Sequence, residues 1–339
     1  MGSFGRPSSD MVFQQELLEG VSRSFAFTIP ELPWGLRNVV ANAYLLFRAA
    51  DTIEDEDLLT LEQKELFWEE LIGSVSGKES SERLRNHLPL LLSTKTLPAE
   101  RAVFENFPRL IHITRNLNVR EREALERSIR LMIRGMRRYQ AFRNPEGLES
   151  LAHLNDYCYH VAGVVGEFLT DVFCNYSAEI AEKGETLRKL AISFGQGLQM
   201  TNILKDLWKD LDRGTCWLPK DIFEENGFDL KDLSRECGCD SFHKGISQLI
   251  AITYGHLKNG LTYTLLVPRK ETGIRKFCLW AIGLAIFTLR KLRKISLPYT
   301  HEVKVTRRCV RTMIWTTHLT VRSNGLLRMF FLVSTRGLA

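Results

Sequence analysis

Two clusters of oxygen-bearing side chains stand out in this chain of 339 residues. The first is Asp51-Thr-Ile-Glu-Asp55. Asp51, Glu54 and Asp55 fall at i, i+3 and i+4, so a helix places them on one face. Adjacent carboxylates on such a face repel by a few tenths of a kcal/mol per pair, about 0.2–0.5. Taken alone, the stripe reads as a solvated helix end running into Asp55-Glu-Asp57. The second cluster is Asn202, Asp206 and Asp210 at i, i+4 and i+8, with Gln199 close to the same line. It could also be a solvated face, but Leu207 and Trp208 flank it and argue for partial burial. The two stripes together suggest a sharper chemistry. Hard cations such as Mg2+ prefer oxygen ligands and bind through carboxylates plus substrate phosphates. Acidic faces on two helices could hold Mg2+ ions against a pyrophosphate.

Other site chemistries fit poorly. The eight His are scattered, and none pairs at i, i+4. No GxxxxGK[ST] loop is present to cradle phosphates, and Gly195-Gln-Gly197 lacks the third glycine and the preceding strand of a dinucleotide fold. Cys237-Gly-Cys239 has no second pair to complete a zinc site.

The elements that must carry these stripes read as helices throughout. Apolar residues recur at three and four spacing over Leu36–Glu56, Arg120–Arg143, Leu148–Cys174, Glu185–Leu211, Ser241–Val267 and Arg275–Ile295. Strand-like alternation is nearly absent. Breaks are short, at Gly77–Ser81, Asn144–Gly147, Arg213-Gly214 and Leu297-Pro298. The expectation is one all-α domain over residues 1–339, a bundle of about a dozen helices around a large core. Val39–Ala50, charged only at Arg48, and the uncharged Tyr157–Gly166 are apolar almost all round and belong in its middle. Gly163 and Gly166 permit close approach of a backbone or an apolar chain there.

Hydrophobic residues make up 44% and charged residues 25%, which excludes disorder and collagen. The net charge of +6 conceals an asymmetry: residues 286–339 hold eleven Lys or Arg against Glu302 alone, leaving the rest slightly acidic. That pattern excludes a uniformly basic nucleic-acid binder. Seven Cys, an odd number, exclude a complete disulfide framework. The N-terminus has no apolar signal region, and the longest uncharged runs, Ala191–Leu204 and Phe277–Leu289, fall short of a spanning helix. A reduced, cytoplasmic protein without a transmembrane helix or a nucleic-acid partner is expected, able to touch membrane phosphates through Arg290-Lys-Leu-Arg-Lys294.

Five motifs in order carry a family resemblance. Ser22-Arg23-Ser24-Phe25 is similar to an N-terminal substrate motif. Asp51–Asp55 resembles a first aspartate-rich motif, and Tyr157-Cys-Tyr-His-Val-Ala-Gly163 a YCxxVAG helix. Gln199–Asp210 resembles a second aspartate-rich motif, and Trp217-Leu-Pro219 the segment that follows it. Together they resemble the squalene/phytoene synthases, head-to-head prenyl transferases of the all-α isoprenoid synthase fold. The Asp51-Thr-Ile-Glu-Asp55 form and Val303-Lys-Val305 with Arg307 and Arg308 lean toward the squalene synthases. Lys205 departs from the pattern, standing where most members have Arg. A C-terminal membrane helix is missing, Met329–Val333 being only a short apolar patch, which suggests a bacterial type.

The resemblance implies condensation of two farnesyl diphosphates through presqualene diphosphate to squalene, with Mg2+ and NADPH, by a monomer. Asp51, Asp55, Asp206 and Asp210 would then carry Mg2+, with Glu54 and Asn202 as further ligands or orienting groups. Arg23, Arg48, Lys205 and Arg213 would neutralise diphosphate, with Ser22, Ser24, Phe25 and Gln199 also at the substrate. Tyr157 would stand near the proton transfer; by itself it reads as a core tyrosine. Phe25, Tyr44, Phe47, Tyr159 and Phe168 are candidate walls for the prenyl chains. Lys304, Arg307 and Arg308 would bind NADPH, although from residues alone they read equally as a solvated basic helix. Dehydrosqualene or phytoene synthesis without reductant, arrest at presqualene diphosphate, and a non-catalytic membrane-docking protein are the alternatives.

Overall fold

The computed structural model describes residues 9–140, 144–234, 239–294 and 305–338, with the side chain of Arg23 also outside the description. Along the chain run α1 (Ser9–Val21), α2 (Arg23–Thr28), α3 (Trp34–Asp55), α4 (Leu61–Val75), the short α5 (Glu82–Asn86) and α6 (Leu88–Leu91), α7 (Pro98–Glu105), α8 (Phe107–Arg115), α9 (Val119–Gln140), α10 (Leu151–Cys158), α11 (Val164–Tyr176), the single turn α12 (Ala178–Ala181), α13 (Gly184–Asp212), α14 (Lys220–Glu225), α15 (Asp240–Leu266), α16 (Thr272–Lys294), α17 (Arg307–Thr320) and α18 (Asn324–Ser334). Among the described residues there is no strand; Leu148 and Pro219 make one isolated parallel bridge. The all-α class is as the apolar spacing predicts. Contacts group the chain into two compact units, Met1–Arg134 with Asp171–Ala181, and Gly135–Thr170 with Glu182–Ala339.

In the first unit α3 is the axis. Its residues Leu36 to Ile53 include thirteen buried side chains, and α1, α4, α7 and α8 pack around it. Asn42 is a polar clasp in this apolar setting. Its Nδ2 donates to Thr114 Oγ1 at 2.8 Å and to the Leu110 carbonyl at 3.3 Å, and its Oδ1 accepts from Gln14 Nε2 at 3.4 Å. A buried amide is tolerated because these partners replace its water. A capping box between Thr60 and Gln63 starts α4. Trp68 Nε1 then donates to the Ala50 carbonyl at 3.3 Å, which fixes α4 against the end of α3 that bears the acids.

In the second unit α13 is the axis, crossed closely by α11 and α15. At Gly166 an added Cβ would lie 2.5 Å from the Ala191 carbonyl oxygen, and at Gly195 2.3 Å from that of Ala162. These glycines let backbone meet backbone, so the close approach anticipated at Gly166 is helix against helix. The helical pattern expected over Leu148–Cys174 is helical from Leu151 to Tyr176, with one change of winding inside it. Ser150 caps α10, and Tyr159–Gly163 form a π-helical turn before α11 begins. A π turn inserts one residue and rotates the following face, a device frequent at functional sites. α13 ends at Arg213-Gly214, where Gly214 adopts φ +80°, the left-handed region open to glycine.

α16 differs from expectation in one respect. By length and composition it could cross a membrane, which the uncharged-run criterion missed because Arg275 and Lys276 interrupt it. Yet 56% of its apolar window is buried within the protein, and it packs on α15, α13 and α17. It is accounted for as a core helix.

Candidate active site

The first acidic stripe lies at the end of α3. Arg48 stands one turn before it, half-buried, with Nη1 3.8 Å from Asp51 and Nε 3.9 Å from Glu100 of α7. Its Nη2 also reaches the Val21 carbonyl at 3.5 Å. Ser22 caps α2, accepting the Phe25 N–H at 3.2 Å, and its side chain hydrogen-bonds the Tyr44 phenol, which Arg48 also reaches. The Phe25 and Tyr44 rings lie 4.7 Å apart. The Ser22–Phe25 and Asp51–Asp55 motifs, separated in sequence, thus meet around Arg48 and Tyr44. Ser24 is exposed on α2, and Asp55 is exposed at the end of α3.

This recess is electrostatically poised. Asp51 keeps 35% of its side chain open. Surrounding protein still pushes its carboxyl up to about 7; Arg48 opposes the shift, and Asp55 and Glu100 add to it. Burial pushes Glu54 up to about 8, with Asp51 and Asp55 adding and Lys64 opposing. Lys64 is buried and donates to the Glu54 carbonyl at 2.5 Å. Carboxyls held partly protonated by neighbouring negative charge and lost hydration fit a hard divalent cation, which would displace the proton. Among the described residues no three acidic, His or Cys side chains are grouped so as to hold a metal ion by themselves. Such an ion would draw its other ligands from water and phosphate oxygens.

The second stripe lies on α13. Leu207 and Trp208 are buried, so the stripe is the polar edge of a core helix, as the flanking residues predict. Asn202 is exposed; Gln199, Asp206 and Asp210 are half-buried. Lys205 Nζ lies 3.1 Å from Asp206 Oδ2 and 3.5 Å from Asn202 Oδ1, so it sits among the oxygens. The Asp210 carbonyl accepts the N–H groups of Arg213 and Thr215, both at 3.0 Å, and so closes the helix. Arg213 itself is exposed.

Tyr157 is buried at the end of α10. Its ring stacks on Trp217 with centroids 3.9 Å apart and 9° between planes. Tyr139 meets it edge-on at 5.0 Å. The Tyr139 hydroxyl donates to Asp156 Oδ2 at 2.6 Å, and Arg138 Nη1 holds the same oxygen at 2.8 Å. The YCxxVAG helix and the Trp217-Leu-Pro219 segment are therefore one packed aromatic unit. Of the other wall candidates, Phe47 and Phe168 are buried, and the Tyr159 hydroxyl donates to Glu167 at 3.0 Å.

Arg307 and Arg308 are exposed in the first turn of α17, and Lys304 lies outside the described residues. Arg308 helps line an open groove of about 520 Å³ with Arg311, Trp315, Leu319 and Phe330. No residue of the aspartate stripes lines this groove.

Reasoning from sequence missed Glu100, Lys64 and the Asp156 network. Glu100 carries no local signal. Lys64 had one: with Phe67, Trp68 and Leu71 it completes the apolar stripe of α4, so a lysine occupied a core position.

The sequence model of the squalene/phytoene synthase family matches residues 18–309, and the chain belongs to this family. It is 31% identical over 289 residues to the squalene synthase of Saccharomyces cerevisiae, covering 81% of this chain and 60% of that protein. With the squalene synthase of Eremothecium gossypii it shares 30% over 279 residues, again 81% of this chain and 60% of the relative. The chain thus spans about three fifths of the length of these curated relatives. Its fold is that of solved members. A ligand complex of TcSQS superposes with TM-score 0.76 at 21% identity, covering 98% of this chain and 99% of the other. A dehydrosqualene synthase superposes at 0.63 and 19%, covering 93% and 97%. The squalene synthase HpnC of Alicyclobacillus acidocaldarius gives 0.58 and 20%, covering 84% and 93%.

Proposed function

We propose that this chain condenses two farnesyl diphosphates head to head through presqualene diphosphate and reduces the product to squalene. The observation that carries the reading is the recess where Arg48, Asp51 and Glu54 meet Ser22 and Tyr44, with carboxyls pushed to about 7 and about 8. Family membership gives that recess its reaction, and curated relatives named squalene synthase favour this product. We also propose that residues 1–339 act as one catalytic domain.

In this reading Asp51, Glu54 and Asp55, with Asn202, Asp206 and Asp210, hold Mg2+. Bound there, Mg2+ would supply charge stabilisation for the departing diphosphate. Arg23, Arg48, Lys205 and Arg213 neutralise its remaining charge, while Ser22, Ser24 and Gln199 orient it by hydrogen bonds. Lys205 must leave Asp206 to do so; as a flexible point charge it can swing where an Arg fork would be committed to its partner. Tyr157 is held rigid by Trp217 and Tyr139, so its hydroxyl keeps one position for accepting or relaying the proton lost on cyclopropane closure. Apolar walls exclude water from the carbocations. Lys304, Arg307 and Arg308 would bind the phosphates of NADPH, whose chemistry is hydride delivery to the final cation.

Incubation of the purified chain with farnesyl diphosphate and Mg2+, with and without NADPH, tests the product. Squalene should form only with NADPH. Dehydrosqualene or presqualene diphosphate as the sole product in both mixtures would refute the reductive step, and faster use of a C20 diphosphate would refute the substrate.

A further inference from the structure

We propose that the outer face of the α17–α18 hairpin docks on a lipid bilayer bearing anionic headgroups. This surface goes beyond the proposed reaction and does not rest on it.

The pattern on each helix is explicit. On α17, Arg311, Trp315 and Leu319 fall at i, i+4 and i+8, one outward stripe. Trp315 is 72% exposed and Leu319 76%. On α18, Leu326, Met329, Phe330 and Val333 fall at i, i+3, i+4 and i+7, and all four are exposed. The inner faces are spent on the core: Met313 and Thr317 of α17, Leu327 and Phe331 of α18 are buried. Both helices therefore have an apolar stripe facing solvent as well as one facing the protein. Phe330 shares a groove with Trp315 and Leu319, so the two outer stripes are continuous. Contiguous exposed apolar surface of this kind marks an interaction site.

The charge around it selects the partner. Residues 305–338 contain six arginines and no Asp or Glu. Arg322 and Arg328 are exposed in the same segment. The end of α16 extends the positive rim. Arg290 Nη1 donates to the Ser334 carbonyl at 3.3 Å, and Arg293 approaches the backbone at Gly337. A tryptophan and long aliphatic side chains on two helices that carry arginines and no acid match the interfacial layer of an anionic membrane, where rings settle at headgroup depth and guanidinium groups meet phosphate. The earlier expectation assigned membrane contact to Arg290–Lys294; here that cluster is the rim, and the hairpin supplies the inserting residues.

The platform is preset. Arg275 of α16 is fully buried and holds the Val267 carbonyl at 2.8 Å and Asn324 Oδ1 at 2.7 Å. Asn324 opens α18 and donates in turn to the Leu265 carbonyl at 3.4 Å. Gly283 admits Met313 of α17 against α16, where a Cβ would lie 2.4 Å from the Met313 sulfur. The outward stripes are thus fixed by contacts made elsewhere.

Co-sedimentation of the full chain with phosphatidylcholine vesicles, with and without phosphatidylglycerol, tests the proposal. The chain should pellet with the anionic vesicles. Leu319→Asp with Phe330→Asp should abolish pelleting with circular dichroism unchanged, because both side chains are exposed. Arg322→Gln with Arg328→Gln should lower partitioning to anionic vesicles roughly thirtyfold, at about tenfold per 1.4 kcal/mol and ~1 kcal/mol per basic side chain near the surface. Wild-type chain that stays in the supernatant, or an aspartate double variant that pellets like wild type, overturns the proposal. A concentration-dependent dimer that the aspartate variant dissolves, without vesicle binding, overturns it too and puts a second copy on this face.

Discussion

Asp51 and Glu54 are the residues whose environment departs most from that of a surface acid. Neither can shed its proton cheaply, because protein replaces water around them and the charge of Asp55 adds to both. The linkage has a definite sign. Unfolded carboxyls lose their protons near pH 4, whereas the folded pair retains them to about 7 and about 8. Across that window the folded state binds more protons, so stability falls as pH rises. The metal-free chain should therefore lose thermal stability from about pH 4 to about pH 8, and Asp51→Asn should flatten part of the slope. A melting series in chelator checks this; an unchanged slope in the variant would remove Asp51 from the account. The stripe itself was legible in the sequence, since three acids at i, i+3 and i+4 end an otherwise apolar helix. Its tuning was not. Glu100 and Lys64 approach through tertiary packing, and only the displacement of an apolar residue by Lys64 gave any sign.

At the scale of elements, the apolar periodicity located α3, α9, α13, α15 and α16 to within a few residues, because their buried faces repeat at helical spacing over five or more turns. It failed where the face rotates. Through Tyr159–Gly163 the chain is apolar nearly all round, so inserting one residue into a turn leaves no trace in the pattern. The glycines beside that turn carry the consequence. Gly166 and Gly195 meet the carbonyls of Ala191 and Ala162 directly, and neither partner is a side chain that could rotate away. Gly195→Ala should destabilise the chain by about 1–3 kcal/mol, the usual cost of overpacking. Denaturant titration would show it as a lower midpoint; an unchanged midpoint would mean the helices separate at no cost. Gly214→Ala acts differently, since its φ of +80° strains any side chain without a clash.

At the scale of the molecule, the charge asymmetry underlies two separate proposals. The acidic body carries the carboxylate stripes, and the basic end carries the rim of an exposed apolar hairpin. Composition revealed the asymmetry but not the hairpin's outward face, because exposure depends on which stripe the core claims first. Contacts group the chain into two compact units, and one acidic stripe lies in each. The central claim is that both stripes serve one diphosphate. Release of pyrophosphate from farnesyl diphosphate by the single variants Asp51→Asn and Asp206→Asn tests it most directly, with circular dichroism confirming the fold. Each substitution alone should abolish release, because the proposed reaction needs Mg2+ at both stripes. Wild-type release by either variant would contradict the account.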